Sequence, residues 1–115
     1  MSIQLKLDAS LDTLSEALAT ATYRIMQESL TNALRHAQAS QIDMKVSILG
    51  DNVTLEVRDN GLGPSANWAE SGHFGVIGMR ERAQGLGGQL HFEALEPSGV
   101  RVHAVLPLSQ NTPHG

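Results

Sequence analysis

Tyr23 to Ala37, YRIMQESLTNALRHA, is the stretch of this 115-residue chain that decides the fold. Apolar residues recur in it at three- and four-residue steps, which predicts a helix with one face packed on a core. They are Tyr23, Met26, Leu30, Ala33 and Ala37. Residues four apart form a polar row on nearly the opposite side of this helix, namely Glu28, Asn32 and His36. A bare E-x-x-x-N spacing is more often a solvated helix face than a ligand site, so both interpretations stay open here.

The composition around this helix indicates one domain with an aliphatic core. The chain has no cysteine and only one Trp, one Tyr and two Phe, which is typical of a reducing compartment and argues against base-stacking platforms. A formal net charge of −4 argues against a nucleic-acid-binding surface. No apolar run approaches the length of a membrane span. We therefore expect a cytoplasmic domain over residues 1–108, followed by a disordered tail over 109–115.

Alternation of apolar and polar residues predicts the strands on either side of the helix. The segment SIQLKL (2–7) is expected to be an edge strand. Its buried face would consist of Ile3, Leu5 and Leu7. An N-cap at Ser10 or Asp12 is expected to precede the helix, which would run to about Ala37.

Two further alternating segments follow, 42–48 and 53–59, and the tight turn Gly50-Asp51-Asn52 between them predicts an antiparallel hairpin. Asp59 has the parity of the apolar residues of its strand, so its carboxylate is expected to point toward the core. A buried carboxylate is unfavourable unless it is paired or hydrogen-bonded. Asp59 therefore needs a partner, and a ligand is one possibility.

A loop rich in glycine runs from Asn60 to Phe74, directly after Asp59, so that the strand end and the loop start read DNGLG (59–63). Asn-Gly after a strand is a strong hairpin signal, but no alternating segment follows directly. The alternative is that Gly61 and Gly63 let the backbone approach a ligand closely. Loops of this length tend to be lids or binding loops.

The next segment, GHFGVIGMRER (72–82), leads into a second helix that glycines end at 85, 87 and 88. Glycine near a helix N-terminus suits a phosphate site or, alternatively, a lid hinge. The residues expected on its buried side are Val76, Ile77, Met79, Ala83 and Leu86. Strands follow at 90–94 and 100–106, where Pro107 ends the pattern. This order predicts an α+β, two-layer sandwich with helices on one face of a mixed, mainly antiparallel sheet of about five strands.

Four segments of the chain together resemble the catalytic ATP-binding domain of sensor histidine kinases. They are ESLTNALRHA (28–37), DNGLG (59–63), GHFGVIGMRER (72–82) and SGVRVHAVLP (98–107). Each segment alone is a modest signal, whereas four in order at the family spacing are specific. The resemblance covers about Ile3 to Pro107 and is strongest to the branch with a short lid and a G-M-R-E-R helix, whose members phosphorylate regulators with helix-turn-helix output domains.

The resemblance implies the Bergerat ATP-binding fold, which gyrase, heat-shock-ninety chaperones and mismatch-repair ATPases share, with ATP and Mg²⁺ as ligands. Asn32 would bind Mg²⁺, and Glu28 beside it would be the base or polarising residue and a second metal ligand. Asp59 would accept a hydrogen bond from the adenine amine, while Gly61 and Gly63 make room for the ring.

Further ATP-binding residues are implied around the phosphates and the floor of the site. They are Arg35, His36, Gly75, Val76, Gly78 and Gly99. Gly75 and Gly78 would let the lid and its helix close on the phosphates, and Gly99 would shape the floor near the base.

Family members carry the phosphoacceptor histidine on an upstream helical hairpin that also forms the dimer interface. None of the five histidines here lies in such a context. We therefore expect an excised, monomeric domain that binds ATP but does not autophosphorylate. Its direct partner would be a separate phosphoacceptor domain, and its indirect partner a response regulator. The domain would belong to the cytoplasmic part of a sensor. Two alternatives are a stand-alone serine kinase of the anti-sigma-factor type and an interaction module with a residual nucleotide pocket.

Overall fold

A computed structural model of the chain describes residues 2–8, 12–35, 39–61, 76–95 and 97–108. The elements in these ranges, in chain order, are β1 (Ser2–Leu7), α1 (Glu16–Arg35), β2 (Gln41–Leu49), β3 (Asn52–Asp59), α2 (Val76–Gly85), β4 (Gln89–Ala94) and β5 (Val100–Pro107). No helix in these ranges is both long and apolar enough to cross a membrane.

The strands of the described ranges form one sheet in the order β1-β2-β3-β5-β4. β1 pairs in parallel with β2, and the other three neighbouring pairs are antiparallel. The hairpin between β2 and β3 turns at Gly50 and Asp51, and a positive φ of 60° at Gly50 explains why glycine occupies this position. The predicted mixed, mainly antiparallel sheet and the predicted hairpin are confirmed.

The core lies between the helices and one face of the sheet. α1 packs on β2, β3 and β5, and α2 packs on β4 and β5. The largest fully buried side chains are aliphatic: Leu18, Ile25, Ile42, Leu55, Leu106, Val46 and Val53. The two-layer α+β sandwich with an aliphatic core is therefore confirmed.

The predicted face and start of α1 are wrong in detail. Of the predicted apolar row, Ala33 is buried and Met26 and Leu30 pack partly buried against the core, but Tyr23 is 59% exposed. Leu18 and Ile25 are the largest fully buried side chains of the helix. The Leu18 amide donates to the Ser15 hydroxyl at 3.2 Å, so Ser15 is the N-cap of the helix. The helix therefore begins at Glu16 and not directly after Ser10 or Asp12. The predicted end at Ala37 lies outside the described residues.

β1 is an edge strand, as predicted, but it has no buried face. Ile3, Leu5 and Leu7 point to the same side of the sheet as Ile42 and the core, yet all three are about half exposed. The reason is that α1 packs over β2, β3 and β5, so the helical layer stops short of the sheet edge. Alternation in the sequence identified the strand but could not show where the covering layer ends.

α2 ends where its glycines predict. Gly87 has a positive φ of 82°, and the Gly88 amide donates to the Ala83 carbonyl at 2.9 Å, so a left-handed cap closes the helix. Met79 and Ala83 are buried, as expected, but Ile77 is 55% exposed. Ile77 therefore lies outside the contact between α2 and the sheet.

Candidate functional site

The Asp59 carboxylate lies at the end of β3, on the sheet face that the helices cover. It shares this face with Val53, Leu55 and Val57, as the parity of the strand predicts. The carboxylate is half-buried and accepts a hydrogen bond from the Gly61 amide at 2.9 Å. Burial raises the pKa of Asp59, while hydrogen bonds from the Gly61 and Val100 amides partly oppose the rise. The protein thus holds a partly desolvated acceptor in a fixed orientation.

Gly99 fits against the backbone of Asp59. It has a positive φ of 108°, and a Cβ at this position would overlap the Asp59 carbonyl oxygen and crowd Asn60. Since Gly99 precedes the start of β5, whose Val100 pairs with Asp59, glycine here permits the two chain segments to meet at the carboxylate. The structure therefore places Gly61 and Gly99 beside Asp59.

Asn32 is on the inward side of α1, with only 7% of its surface exposed. Ser29, one turn earlier, is also buried, and its hydroxyl donates to the Met79 sulfur of α2 at 3.6 Å. Asn32 was predicted to lie on nearly the opposite side from the apolar row, which is wrong. The inward side of α1 therefore carries polar residues near the C-terminal end of the helix. This side of α1 faces the sheet, which contains Asp59 at the end of β3.

Glu28 is exposed on α1, one turn before Asn32. Its carboxylate and the Asn32 amide oxygen are hard oxygen donors, the type that Mg²⁺ prefers. Among the described residues, no group of three or more His, Asp or Glu side chains could hold a metal ion.

The start of α2 provides the remaining described part of the site. Gly78 lies in the first turn of this helix, is exposed, and has no atom within 4 Å of the position that a Cβ would occupy. Val76 is the first residue of the helix, where backbone amides lack partners within the helix. Among the described residues, no side chain packs against Gly78 at this end of the helix.

Several predicted site residues fall outside what the structure describes. His36, Gly63 and Gly75 lie outside the described residues, and nothing is described of the side chains of Arg35 and Val76. The described residues thus bring together Asp59, Gly61 and Gly99 in direct contact, with Asn32 on the helix above that face and Glu28 at its solvent edge.

Sequence reasoning missed two residues at the carboxylate. Val100 donates its backbone amide to Asp59, and no side-chain pattern could have shown a contact made by the main chain. Asn60 interacts with Ser40 and Gln41 at the start of β2, 20 positions earlier in the chain. The Asn-Gly signal pointed to a turn and gave no indication of this long-range contact.

Comparison with known proteins assigns a family to this arrangement. Residues 17–110 match the family described as "Histidine kinase-, DNA gyrase B-, and HSP90-like ATPase". The match includes all of α1 but its first residue, both glycine-rich segments and the last strand pair, which are the elements that carry the candidate site.

Curated relatives and solved structures agree with this match. The chain is 38% identical over 109 residues to the sensor histidine kinase YxjM of Bacillus subtilis, covering 89% of this chain and 26% of YxjM. It is 42% identical over 79 residues to the nitrate/nitrite sensor protein NarX of Escherichia coli, covering 69% of this chain and 13% of NarX. The chain therefore spans about a quarter or less of these relatives. The blue-light activated histidine kinase EL346 of Erythrobacter litoralis has a TM-score of 0.80 and 27% identity, covering 96% of this chain and 36% of that one.

Proposed function

The chain belongs to the histidine kinase-, DNA gyrase B- and HSP90-like ATPase family, and we propose that it is the ATP-binding catalytic domain of a sensor histidine kinase. In this proposal it binds ATP with Mg²⁺ and supplies the terminal phosphoryl group to a histidine on a separate helical domain. The relatives named as sensor kinases support this reading over the other branches of the family.

The Asp59 carboxylate is the observation that carries the proposal. A half-buried acceptor with two backbone amides on it has its orientation fixed, and it suits a ligand that presents a hydrogen-bond donor at the end of β3. The exocyclic amine of adenine is such a donor. Gly99 supports this assignment because any side chain there would collide with the Asp59 backbone beside the carboxylate.

The phosphates are assigned to the other end of the site, between α1 and the start of α2. Asn32 would hold Mg²⁺ through its amide oxygen, with Glu28 as a second ligand or as the polarising residue. Bound Mg²⁺ neutralises phosphate charge during transfer. Gly78 supports the assignment because it is exposed in the first turn of α2 and carries no side chain that would cover the backbone amides there. Arg35, His36, Gly63, Gly75 and Val76 complete the proposed set.

The proposed reaction needs a nucleophile from outside these 115 residues. The imidazole nitrogen of the acceptor histidine would form a bond to the terminal phosphorus as the bond to ADP breaks, so the role of the domain is to position ATP and neutralise its charge. The acceptor domain would belong to a dimeric parent kinase. If that kinase is anchored in a membrane, both domains would lie on the cytoplasmic side. A response regulator would then receive the phosphoryl group from the histidine.

Labelled ATP tests this function. The domain is incubated with ATP labelled at the terminal phosphate, Mg²⁺ and the helical phosphoacceptor domain of the parent kinase as a second polypeptide. We expect label on the acceptor that is lost in acid and retained in alkali, as a phosphohistidine behaves. Acid-stable label on a serine would indicate a serine kinase instead. Calorimetry with ATP and Mg²⁺ provides the control for binding, and absence of binding would contradict the proposal itself.

A further inference from the structure

The side chain of Asn60 joins two segments that are far apart in the chain. Its Oδ1 accepts hydrogen bonds from the Ser40 and Gln41 amides, both at 2.9 Å. Its Nδ2 donates to the Ser40 hydroxyl, also at 2.9 Å. The Asn60 amide donates to the Gln41 carbonyl at 3.2 Å. One residue therefore makes four hydrogen bonds to Ser40 and Gln41, where the chain enters β2.

These four bonds tie the end of β3 to the segment that connects α1 with β2. The Ala39 amide donates to the Ala33 carbonyl at 3.3 Å, so the end of this connecting segment is itself held to the last turns of α1. Ser40 and Gln41 follow immediately. Asn60 therefore links, through Ser40 and Ala39, to the helix that carries Asn32.

Asn60 also lies between Asp59 and the Gly61 amide that fixes the Asp59 carboxylate. It follows Asp59 directly and precedes Gly61, whose amide donates to Asp59 Oδ1. The Asn60 Cα lies close to the position that a Cβ on Gly99 would take. Any displacement of Asn60 must therefore move the Gly61 amide, and with it the orientation of the carboxylate.

We infer that Asn60 is a positioning residue for nucleotide binding: it holds the Asp59 carboxylate at a fixed place relative to α1. The inference rests on the function proposed above, in which Asp59 binds adenine and Asn32 serves the phosphates. Asn60 itself contacts no nucleotide in this account. Its exposed side chain is directed to the β2 start, so its effect on binding passes through Asp59.

Substitutions that keep or remove the acceptor separate this role from general stability. Asn60→Ala removes the three side-chain bonds and is expected to weaken ATP binding about fivefold or more. Asn60→Asp keeps an acceptor for both amides, and the Ser40 hydroxyl can donate to it, so affinity should return to within about threefold of the original. Ser40→Ala removes only the hydroxyl bond and serves as the matched control, with an effect of about threefold or less. Asn60→Gln moves the amide by one methylene and replaces Asn60→Ala if that variant does not fold.

A double-mutant cycle with Asp59→Asn gives the readout that a purely structural role would not produce. Calorimetry with ATP and Mg²⁺ is carried out on the whole chain and its variants. If Asn60 acts through Asp59, adding Asn60→Ala to Asp59→Asn should change Kd by less than about twofold. The inference would be overturned if Asn60→Ala lowered ATP affinity equally in the original and in the Asp59→Asn protein. It would also be overturned if an Asn60→Ala or Asn60→Gln protein bound ATP as the original does. Either result leaves the proposed function standing. If the original chain does not bind ATP, the proposed function fails and the inference fails with it.

Discussion

Asp59→Asn is expected to separate nucleotide affinity from stability, because the carboxylate is half-buried and its pKa is raised by that burial. The folded protein ionises Asp59 less readily than an exposed aspartate, so at neutral pH the charge lowers the stability of the folded state. Asparagine resembles the neutral acid in shape and removes this charge. The free energy of unfolding at pH 7 should therefore stay equal or increase.

The same substitution should weaken ATP binding. The adenine amine would lose a charge-assisted hydrogen bond, worth about 1.5–3 kcal/mol, and Kd should rise roughly 10- to 150-fold. Urea unfolding gives the stability, and calorimetry with ATP and Mg²⁺ gives the affinity. Asp51→Asn is the matched control, since Asp51 is exposed in the turn at the other end of β3, roughly 25 Å away by strand rise.

The pH dependence follows from the direction of the pKa shift. The destabilising charge is fully present above the raised pKa of Asp59 and disappears as the pH falls through it toward the ordinary value of 3.8. The stability difference between the original and Asp59→Asn should therefore shrink in that window. ATP affinity of the original should fall over the same window, because protonated Asp59 no longer offers an ionised acceptor. A variant that keeps full affinity, or one that unfolds far more easily at pH 7, would refute this reasoning.

Four other substitutions test Gly99, the two exposed glycines of α2 and the outer face of the sheet. Gly99→Ala should cost about 2 kcal/mol of stability or more, and weaken ATP binding as well, because its Cβ would displace the Asp59 backbone; a normal urea midpoint would contradict this. Gly78→Ala and Gly85→Ala should each stabilise α2 by about 0.5–1 kcal/mol, since a Cβ at either position meets no other described residue. Only Gly78→Ala should raise the Kd for ATP. If the two variants bind ATP equally well, Gly78 is not part of the site. Arg101→Met should lower stability by about 1 kcal/mol in low salt and less in high salt, because Arg101 bridges two glutamates on the outer face of the sheet. ATP affinity should stay unchanged, and a change in affinity would contradict the placement of the site on the helix-covered face.

The sequence predicted the strands well because alternation reports directly on which side of a strand is buried. It located Asp59 on the inner face, and the hairpin of β2 and β3 follows the same reasoning. It failed where a neighbouring layer decides the outcome. Tyr23 has the spacing of a core residue, but α1 is turned so that Ser29 and Asn32 face inward instead.

Long-range contacts are the part of the site that spacing could not predict. Asn60 binds a segment 20 residues away, and Val100 reaches Asp59 through its main chain, so neither contact leaves a pattern in the sequence. The resemblance placed Gly99 near the floor of the site, but only the structure explains why this residue is a glycine. Its φ is positive, and a Cβ would overlap the Asp59 carbonyl oxygen.

The central claim is that ATP binds against the Asp59 carboxylate, and amide chemical shifts test it most directly. In a titration of the ¹⁵N-labelled protein with ATP and Mg²⁺, we expect the largest shifts to include the Gly61 and Val100 amides, which donate to that carboxylate. The Gly50 amide, in the turn at the far end of β3, should not move. Saturable binding with Gly61 and Val100 unperturbed would contradict the account.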